Sequence, residues 1–335
     1  MRLRKRLRRL VRPVQGALYP RLFSEQGCLV VILLHSVFRD EREIERELID
    51  PLEHTTVDRL RRFIEYFLDH DYEFISPRDV LVGLDPRKRW LLLTFDDGYA
   101  NFLHVLPLLK EYDVPATLFP VTSNVRENRC FWWDVVYRLR RRQGLSPAKA
   151  LQESAGLQAL RDDEIDRRLV KQFGERSLRP QGDVDRPLTP DELRALAENP
   201  RVSIGNHTAD HANLLNYPIE DVRRQVAEAQ ESLTEMTGKT PVAVSYPFGC
   251  VSGEVMETCR ELGLKLGITT VSRFNRIPDD LEERRLLGLG RFNPSFGNGA
   301  QPARGIRRRV LIAYVHETLF RRFPRAAVPE KGQTA

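Results

Sequence analysis

The chain has 335 residues, 41% hydrophobic and 30% charged, with 21 prolines and 20 glycines. That is globular composition, long enough for one large α/β domain or two small ones, and it excludes a disordered chain. No apolar run approaches the ~20 residues that span a bilayer. The net charge of +6 sits at the ends: residues 1–12 hold seven of the 53 basic groups and no acid, and residues 303–325 hold seven more against Glu317 alone. The body between is acidic, so no nucleic-acid partner is expected, since a nucleic-acid-binding fold carries its basic surface itself.

Residues 1–25 read as a basic arm, with Leu3, Leu7, Leu10, Val11 and Val14 at helical spacing. Such a stripe suits an anionic membrane surface, and equally a helix packed on the domain with its basic face in water. No apolar signal-peptide core follows closely, and Cys28, Cys130, Cys250 and Cys259 lack metal-site spacing. A cytoplasmic location is therefore expected, at the inner face of the membrane if the arm binds lipid.

The apolar run at 28–35 predicts a strand buried on both faces. Val57, Leu60, Phe63, Ile64, Phe67 and Leu68 mark one face of a helix. A second buried strand follows at 90–95, a helix near 100–112, and a strand at 115–121. Further strands are predicted at 201–206, 242–246 and 266–271. Helices are predicted at about 190–198, opened by the Thr189 to Glu192 capping box, at 218–237, ended by Gly238, and at 253–262. Strands alternating with helices imply a parallel sheet, open or closed into a barrel.

One segment, about 126–200, is far longer than a crossover needs. It carries Phe131-Trp132-Trp133-Asp134 near its start and continues as polar helices, and inserts of this kind tend to shape the site of a barrel. The expected organisation is an arm (1–25), a barrel with a helical insert (26–300) and a basic C-terminal helix and tail (301–335).

Two stretches carry chemistry. Thr94-Phe95-Asp96-Asp97-Gly98-Tyr99 follows a buried strand, and the C-terminal ends of strands are where α/β sheets place ligands. Two adjacent carboxylates would raise one pKa strongly unless a cation intervenes; a metal on one leaves the other free as a base. Asp-Asp-Gly is also good turn chemistry. Asn206-His207-Thr208-Ala209-Asp210-His211 places two histidines four apart, the spacing that shares one face of a helical turn. With Asp97 they would make two imidazoles and a carboxylate, a set that suits Zn²⁺, with Co²⁺, Fe²⁺ and Ni²⁺ as alternatives.

TFDDG, the HTADH stretch about a hundred residues on, and Ser245-Tyr246-Pro247-Phe248-Gly249 together resemble the successive motifs of the polysaccharide deacetylases of carbohydrate esterase family 4. The resemblance covers roughly residues 28–295 and includes LLHSV, which is similar to the family's first-strand signature. It implies a distorted (β/α)7 barrel and a metal-dependent hydrolase that removes N-acetyl groups from an acetamido sugar of a polysaccharide or lipid-linked glycan. It implies Asp96 as general base, Asp97, His207 and His211 as metal ligands, and the backbone N–H of Tyr246 as an oxyanion donor.

The departures from the family's pattern shape the remaining expectations. Ser245 stands where many members carry an arginine that tunes the base, and the Leu-x-His motif that supplies the general acid is not visible. Arg291 is the candidate for the tuning role. His35, ending the first strand, is the candidate acid, although a strand-end histidine is also readily satisfied by backbone. Trp132 and Trp133 are candidates for a sugar platform, or for anchoring the insert in a small core of its own. Tyr99 and Pro247 are further candidates for the substrate pocket. A glycosidase using Asp96 and Asp97 is disfavoured, because adjacent carboxyls can hardly flank a glycosidic bond at ~5 Å or more. A catalytically degenerate carbohydrate-binding or scaffold protein on the same barrel is the alternative; the missing motifs favour it and the intact Asp-Asp and His-His pairs oppose it.

Overall fold

The computed structural model describes residues 27–294. The basic arm and the C-terminal helix and tail expected at 301–335 lie outside the described residues. In chain order the elements are β1 (Cys28–Leu34), α1 (Glu41–Glu45), α2 (Val57–Asp69), β2 (Tyr72–Ile75), α3 (Pro77–Val82) and β3 (Arg89–Asp97). A 3-10 segment (Ala100–Val105) leads into α4 (Leu106–Tyr112), then β4 (Ala116–Pro120) and α5 (Thr122–Glu127). The insert supplies α6 (Trp132–Arg142), α7 (Pro147–Leu157) and α8 (Asp162–Phe173). The chain returns through α9 (Pro190–Glu198), β5 (Val202–Ile204), α10 (Ile219–Thr237), β6 (Ala243–Ser245), α11 (Gly253–Glu261), β7 (Leu266–Ile268) and β8 (Asn275–Arg276).

The main sheet runs β5-β4-β3-β1-β8. β1 and β3 pair in parallel along their length, from Cys28 with Arg89 to Leu34 with Phe95. β2 pairs with the first half of β3 and β4 with its last residues. Single parallel bridges then close the ring: Asn206 with Val244, Ile268 with Leu289, and Phe292 with Ile32. Six strands (β1, β3, β4, β5, β6, β7) and the segment 289–292 thus form the seven staves of a distorted (β/α)7 barrel. The latter four staves are short, so the closure is irregular.

The period-2 alternation of a strand divides the core in two. Val30, Ile32, Leu34, Leu91, Leu93 and Phe95 pack outward with Leu60, Phe63, Ile64 and Phe67 of α2. Leu29, Val31, Trp90 and Leu92 pack with Phe119, Leu266, Ile268 and Leu289 inside the barrel. In that phase Thr94 and Asp96 follow Leu92, and Leu33 and His35 follow Val31, so both first strands deliver polar groups to the same end of the ring.

Thr189 and Glu192 form the expected reciprocal cap on α9, and Gly238 ends α10 at φ +69°. The helix expected at 100–112 is divided: it begins as a 3-10 segment, and α4 starts with Pro107 in its first turn, where a missing N–H costs nothing. All four cysteines are free, with Cys130 and Cys259 buried. Among the described residues no helix is long and apolar enough to cross a membrane.

Candidate metal centre and active site

β3 ends in Asp96 and Asp97. Asp97 sits at φ +71° and Gly98 at φ +89°. A side chain at position 98 would meet the Pro120 Cβ at 2.7 Å, so only glycine allows the turn. The second stretch is not the helical turn that its spacing suggested. Residues 205–212 form a loop in which Thr208 (φ +65°) and His211 (φ +60°) are also left-handed. Each such residue costs ~1–3 kcal/mol and persists only where its surroundings over-determine it. Here Asn206 Oδ1 accepts from the Thr208 N–H at 2.8 Å, and Thr208 Oγ1 accepts from the Ala212 N–H at 3.0 Å. Gly205 lets the loop pass the Phe119 ring, which would lie 2.2 Å from any Cβ there.

This backbone brings Asp97, His207 and His211 together, all buried, with one potential ligand atom from each within 4.8 Å of the others. The Nε2 atoms of His207 and His211 stand 3.5 and 3.4 Å from Asp97 Oδ1. His207 Nδ1 is 2.7 Å from the Ser245 carbonyl, which fixes the proton on that nitrogen and leaves Nε2 as the free electron pair. Burial, and then His207 alongside, pushes the His211 pKa down to about 3, so its ring stays neutral. Burial works against the Asp97 charge, but His207, His35 and His211 outweigh it and hold its pKa below the ordinary value. Asp97 Oδ1 is buried with no hydrogen-bond partner, a costly state for a carboxylate oxygen. An anionic oxygen without a hydrogen-bond donor, facing two imidazole nitrogens, is a donor set that fits a divalent cation.

Asp96, 3% exposed, is held by different partners. Arg291 reaches both of its oxygens, Nη1 to Oδ1 at 2.9 Å and Nη2 to Oδ2 at 2.8 Å. The Ser245 hydroxyl donates to Oδ2 at 2.9 Å. Burial opposes the charge, but Arg291 and His207 overcome it and hold Asp96 well below the usual carboxylate range. The sequence showed Ser245 only as a departure from the family; in the structure it is a third contact on Asp96.

His35 places Nδ1 2.8 Å from Glu53 Oε1, an oxygen that also accepts from Asn293 Nδ2 at 3.0 Å. Its side chain is 17% exposed whereas that of Glu53 is 1% exposed. Burial disfavours the imidazolium, but Glu53, followed by Asp97 and Asp96, raises the His35 pKa to about 10. Glu53 and Asn293 gave no signal in the sequence, because both lie in irregular segments and neither belongs to a motif.

Tyr246 departs from expectation. Its N–H donates to the Ile268 carbonyl at 3.2 Å, extending the β6–β7 ladder, and its hydroxyl donates to the Leu287 carbonyl at 2.9 Å. That N–H is therefore occupied and is not a free oxyanion donor. Pro247 is buried in a short 3-10 turn beside it. Tyr99 is 1% exposed; its hydroxyl donates to Asp134 Oδ2 at 2.5 Å and accepts from the Trp133 indole N–H at 3.0 Å. Trp133 stacks on Phe131 and lies 4.7 Å, centroid to centroid, from the His211 ring. Trp132 is buried in the insert's own cluster with Val135, Val136, Ile165 and Leu169. The insert thus has a core and also sends an aromatic wall to the metal loop.

The profile of the polysaccharide deacetylase family matches residues 83–267, more than half of the chain, and the chain belongs to that family. It is similar to the YxkH protein of Bacillus subtilis (strain 168), 19% identical over 212 residues, which cover 62% of this chain and 55% of that protein. The match thus spans little more than half the length of that relative. Among solved structures it resembles the Streptococcus pyogenes deacetylase PplD in complex with acetate, with a TM-score of 0.55, 17% identity and coverage of 84% and 97% of the two chains. It also resembles the deacetylase domain of BpsB from Bordetella bronchiseptica, with a TM-score of 0.53, 20% identity and coverage of 80% and 96%. These likenesses establish the fold.

Proposed function

We propose that the protein is a metal-dependent hydrolase that removes the N-acetyl group from an acetamido sugar of a polysaccharide or lipid-linked glycan. The observation that carries this reading is the buried cluster of Asp97, His207 and His211 beside a second, separately held carboxylate, Asp96. A divalent cation held by the three, Zn²⁺ first and Co²⁺, Fe²⁺ or Ni²⁺ as alternatives, supplies Lewis acidity toward the amide carbonyl and the attacking water. Asp96 takes the proton from that water; Arg291 and Ser245 keep it ionised and fix both oxygens in one orientation. His35, charged and partly open to solvent, gives a proton to the departing nitrogen, and Glu53 with Asn293 fixes its ring. Trp133, beside His211, supplies an aromatic face for the sugar or for the acyl methyl.

The cytoplasmic location and the attachment of the basic ends to an anionic membrane belong to the same reading, since a lipid-linked substrate would be met there. Loss of liposome binding on removal of residues 1–25 supports that part, and unchanged binding retires it. For the activity, the protein is assayed for acetate release from N-acetylglucosamine oligomers, other acetylated glycans and lipid-linked sugars, with Asp96→Asn as control. Acetate release that Asp96→Asn abolishes is expected. Metal-loaded protein that releases acetate from none of them overturns the reading in favour of a carbohydrate-binding role.

A further inference from the structure

The two histidines of the metal centre are held in different ways. His207 is fixed by a hydrogen bond, its Nδ1 2.7 Å from the Ser245 carbonyl. His211 Nδ1 is buried, and among the described residues no group forms a hydrogen bond with it. A histidine that ligates a metal almost always gives its second nitrogen to an oxygen, which sets the orientation of the ring. At His211 the orientation has another source. Its ring is bordered by the Trp133 indole, with centroids 4.7 Å apart at 54°, and by the Phe248 ring, 4.6 Å away and edge-on at 83°. Both spacings are those of favourable ring pairs. The Trp133 and Phe248 centroids are themselves 6.4 Å apart, so the three rings form one compact cluster.

The two aromatic residues come from separate elements, and each is pinned by contacts of its own. Trp133 lies in the first turn of α6; its indole N–H donates to the Tyr99 hydroxyl at 3.0 Å, and its ring stacks on Phe131 at 5.1 Å and 15°. Tyr99 lies two residues beyond Asp97, so one indole touches the segments that carry two of the metal ligands. Phe248 follows β6 in a short turn, at φ +57°. A bulky residue in that region is a backbone outlier that persists only where its surroundings over-determine it. Here the Thr270 hydroxyl donates to the Phe248 carbonyl at 3.4 Å, and Gly249 gives Thr270 the space that a Cβ would take, 1.9 Å from Thr270 Oγ1.

We propose that Trp133 and Phe248 are positioning residues for the metal centre: their rings hold the His211 imidazole in its ligating orientation, in place of a hydrogen bond. The insert is then part of the metal site, because Trp133 belongs to it, and cation affinity depends on its docking against the barrel. The inference deepens the metal-dependent reading and rests on it. It is separate from any contact of Trp133 with a sugar, since it acts with no glycan present.

The test is Zn²⁺ titration of the chelator-stripped full chain against a chromophoric chelator, without glycan, on variants first shown to be folded by circular dichroism. Trp133→Leu and Phe248→Gly should each weaken Zn²⁺ binding about 10- to 100-fold, the scale of a lost orienting partner. Glycine adopts φ +57° freely, so Phe248→Gly removes the ring without adding strain. Phe248→Tyr keeps the ring and should keep most of the affinity. Val136→Ala, in the insert's own core, should lower the melting temperature and leave affinity unchanged. The visible absorption of the Co²⁺ form reports ligand geometry directly: its bands should shift in Trp133→Leu and Phe248→Gly and stay in place in Val136→Ala. Wild-type affinity and an unshifted Co²⁺ spectrum in both ring-removing variants overturn the inference while the metal centre stands. An equal loss of affinity in Val136→Ala assigns the effect to insert stability and also overturns it. Wild type that binds neither Zn²⁺ nor Co²⁺ overturns the metal centre and the inference with it.

Discussion

Arg291 grips Asp96 through both oxygens across 195 residues of sequence, and neither group has appreciable exposure. The pair does two things at once: it keeps a buried carboxylate ionised, and it fixes which way that carboxylate points. Arg291→Ala should leave Asp96 with an uncompensated buried charge, costing about 3–5 kcal/mol of stability at neutral pH. It should also lower kcat by roughly 100-fold or more, the scale of a general base displaced. Because Arg291 depresses the Asp96 pKa, its loss should move the acid limb of the pH–rate profile upward. Arg291→Lys should recover charge without the bidentate fork and fall between the two. Melting curves and pH–rate profiles check this, and unchanged turnover in Arg291→Ala removes Arg291 from the mechanism.

The pairing of His35 with Glu53 makes a prediction at the opposite end of the pH scale. His35 has a folded-state pKa of about 10 against an ordinary 6.5. The folded state therefore holds a proton that the unfolded chain loses, so the stabilisation is complete below about 6.5 and lost as pH rises toward 10. An acid role for His35 puts the alkaline limb of activity in the same upper range. Glu53→Gln should bring that limb down toward the ordinary histidine value while keeping a hydrogen-bond acceptor. A pH–rate series on wild type and Glu53→Gln checks the direction. An alkaline limb that does not move, or full activity in His35→Ala, assigns the acid elsewhere.

Tyr99 joins the barrel to the insert. It accepts the Trp133 indole N–H and donates to Asp134, whose other oxygen accepts the Asp50 backbone N–H at 2.9 Å. Tyr99→Phe should strand both Trp133 and Asp134, costing about 1–3 kcal/mol for unmet buried groups, and should raise KM through a loosened Trp133. Asp134→Asn preserves an acceptor for Tyr99 and should be milder than Asp134→Ala. Chemical denaturation, tryptophan fluorescence and substrate titration on the three variants read this out. An unaltered KM in Tyr99→Phe would leave the network with a structural role alone.

What the sequence revealed follows the range of the interactions. β1 and β3 are legible because both faces of each strand are buried, which leaves the unbroken apolar runs 28–34 and 90–93. α9 is legible because its cap lies within four consecutive residues. β2 and β8, four and two residues long, are set by pairing with β3 and β1 and show no pattern of their own. At the site, Asp97, His207 and His211 were legible as chemistry, but the reason they converge was not: a loop held by Asn206 and Thr208 does what a helical turn was expected to do. Glu53 and Asn293 escaped notice because their contact joins irregular segments 240 residues apart. The acceptor of the Tyr246 N–H, Ile268, belongs to a strand whose pairing only the assembled barrel decides, so no local pattern in the sequence shows that contact.

The central claim is that Asp97, His207 and His211 hold a divalent cation. Its most direct test is elemental analysis of chelator-stripped protein re-equilibrated with Zn²⁺, wild type beside His207→Ala and Asp97→Ala, each first shown to be folded. Wild type should retain about one equivalent and melt at a higher temperature with the metal than without it, since a ligand that binds only the folded state stabilises it. The two variants should retain almost none and show no such shift. Stoichiometric metal in both variants, or none in wild type under saturating Zn²⁺, Co²⁺, Fe²⁺ or Ni²⁺, would contradict the claim.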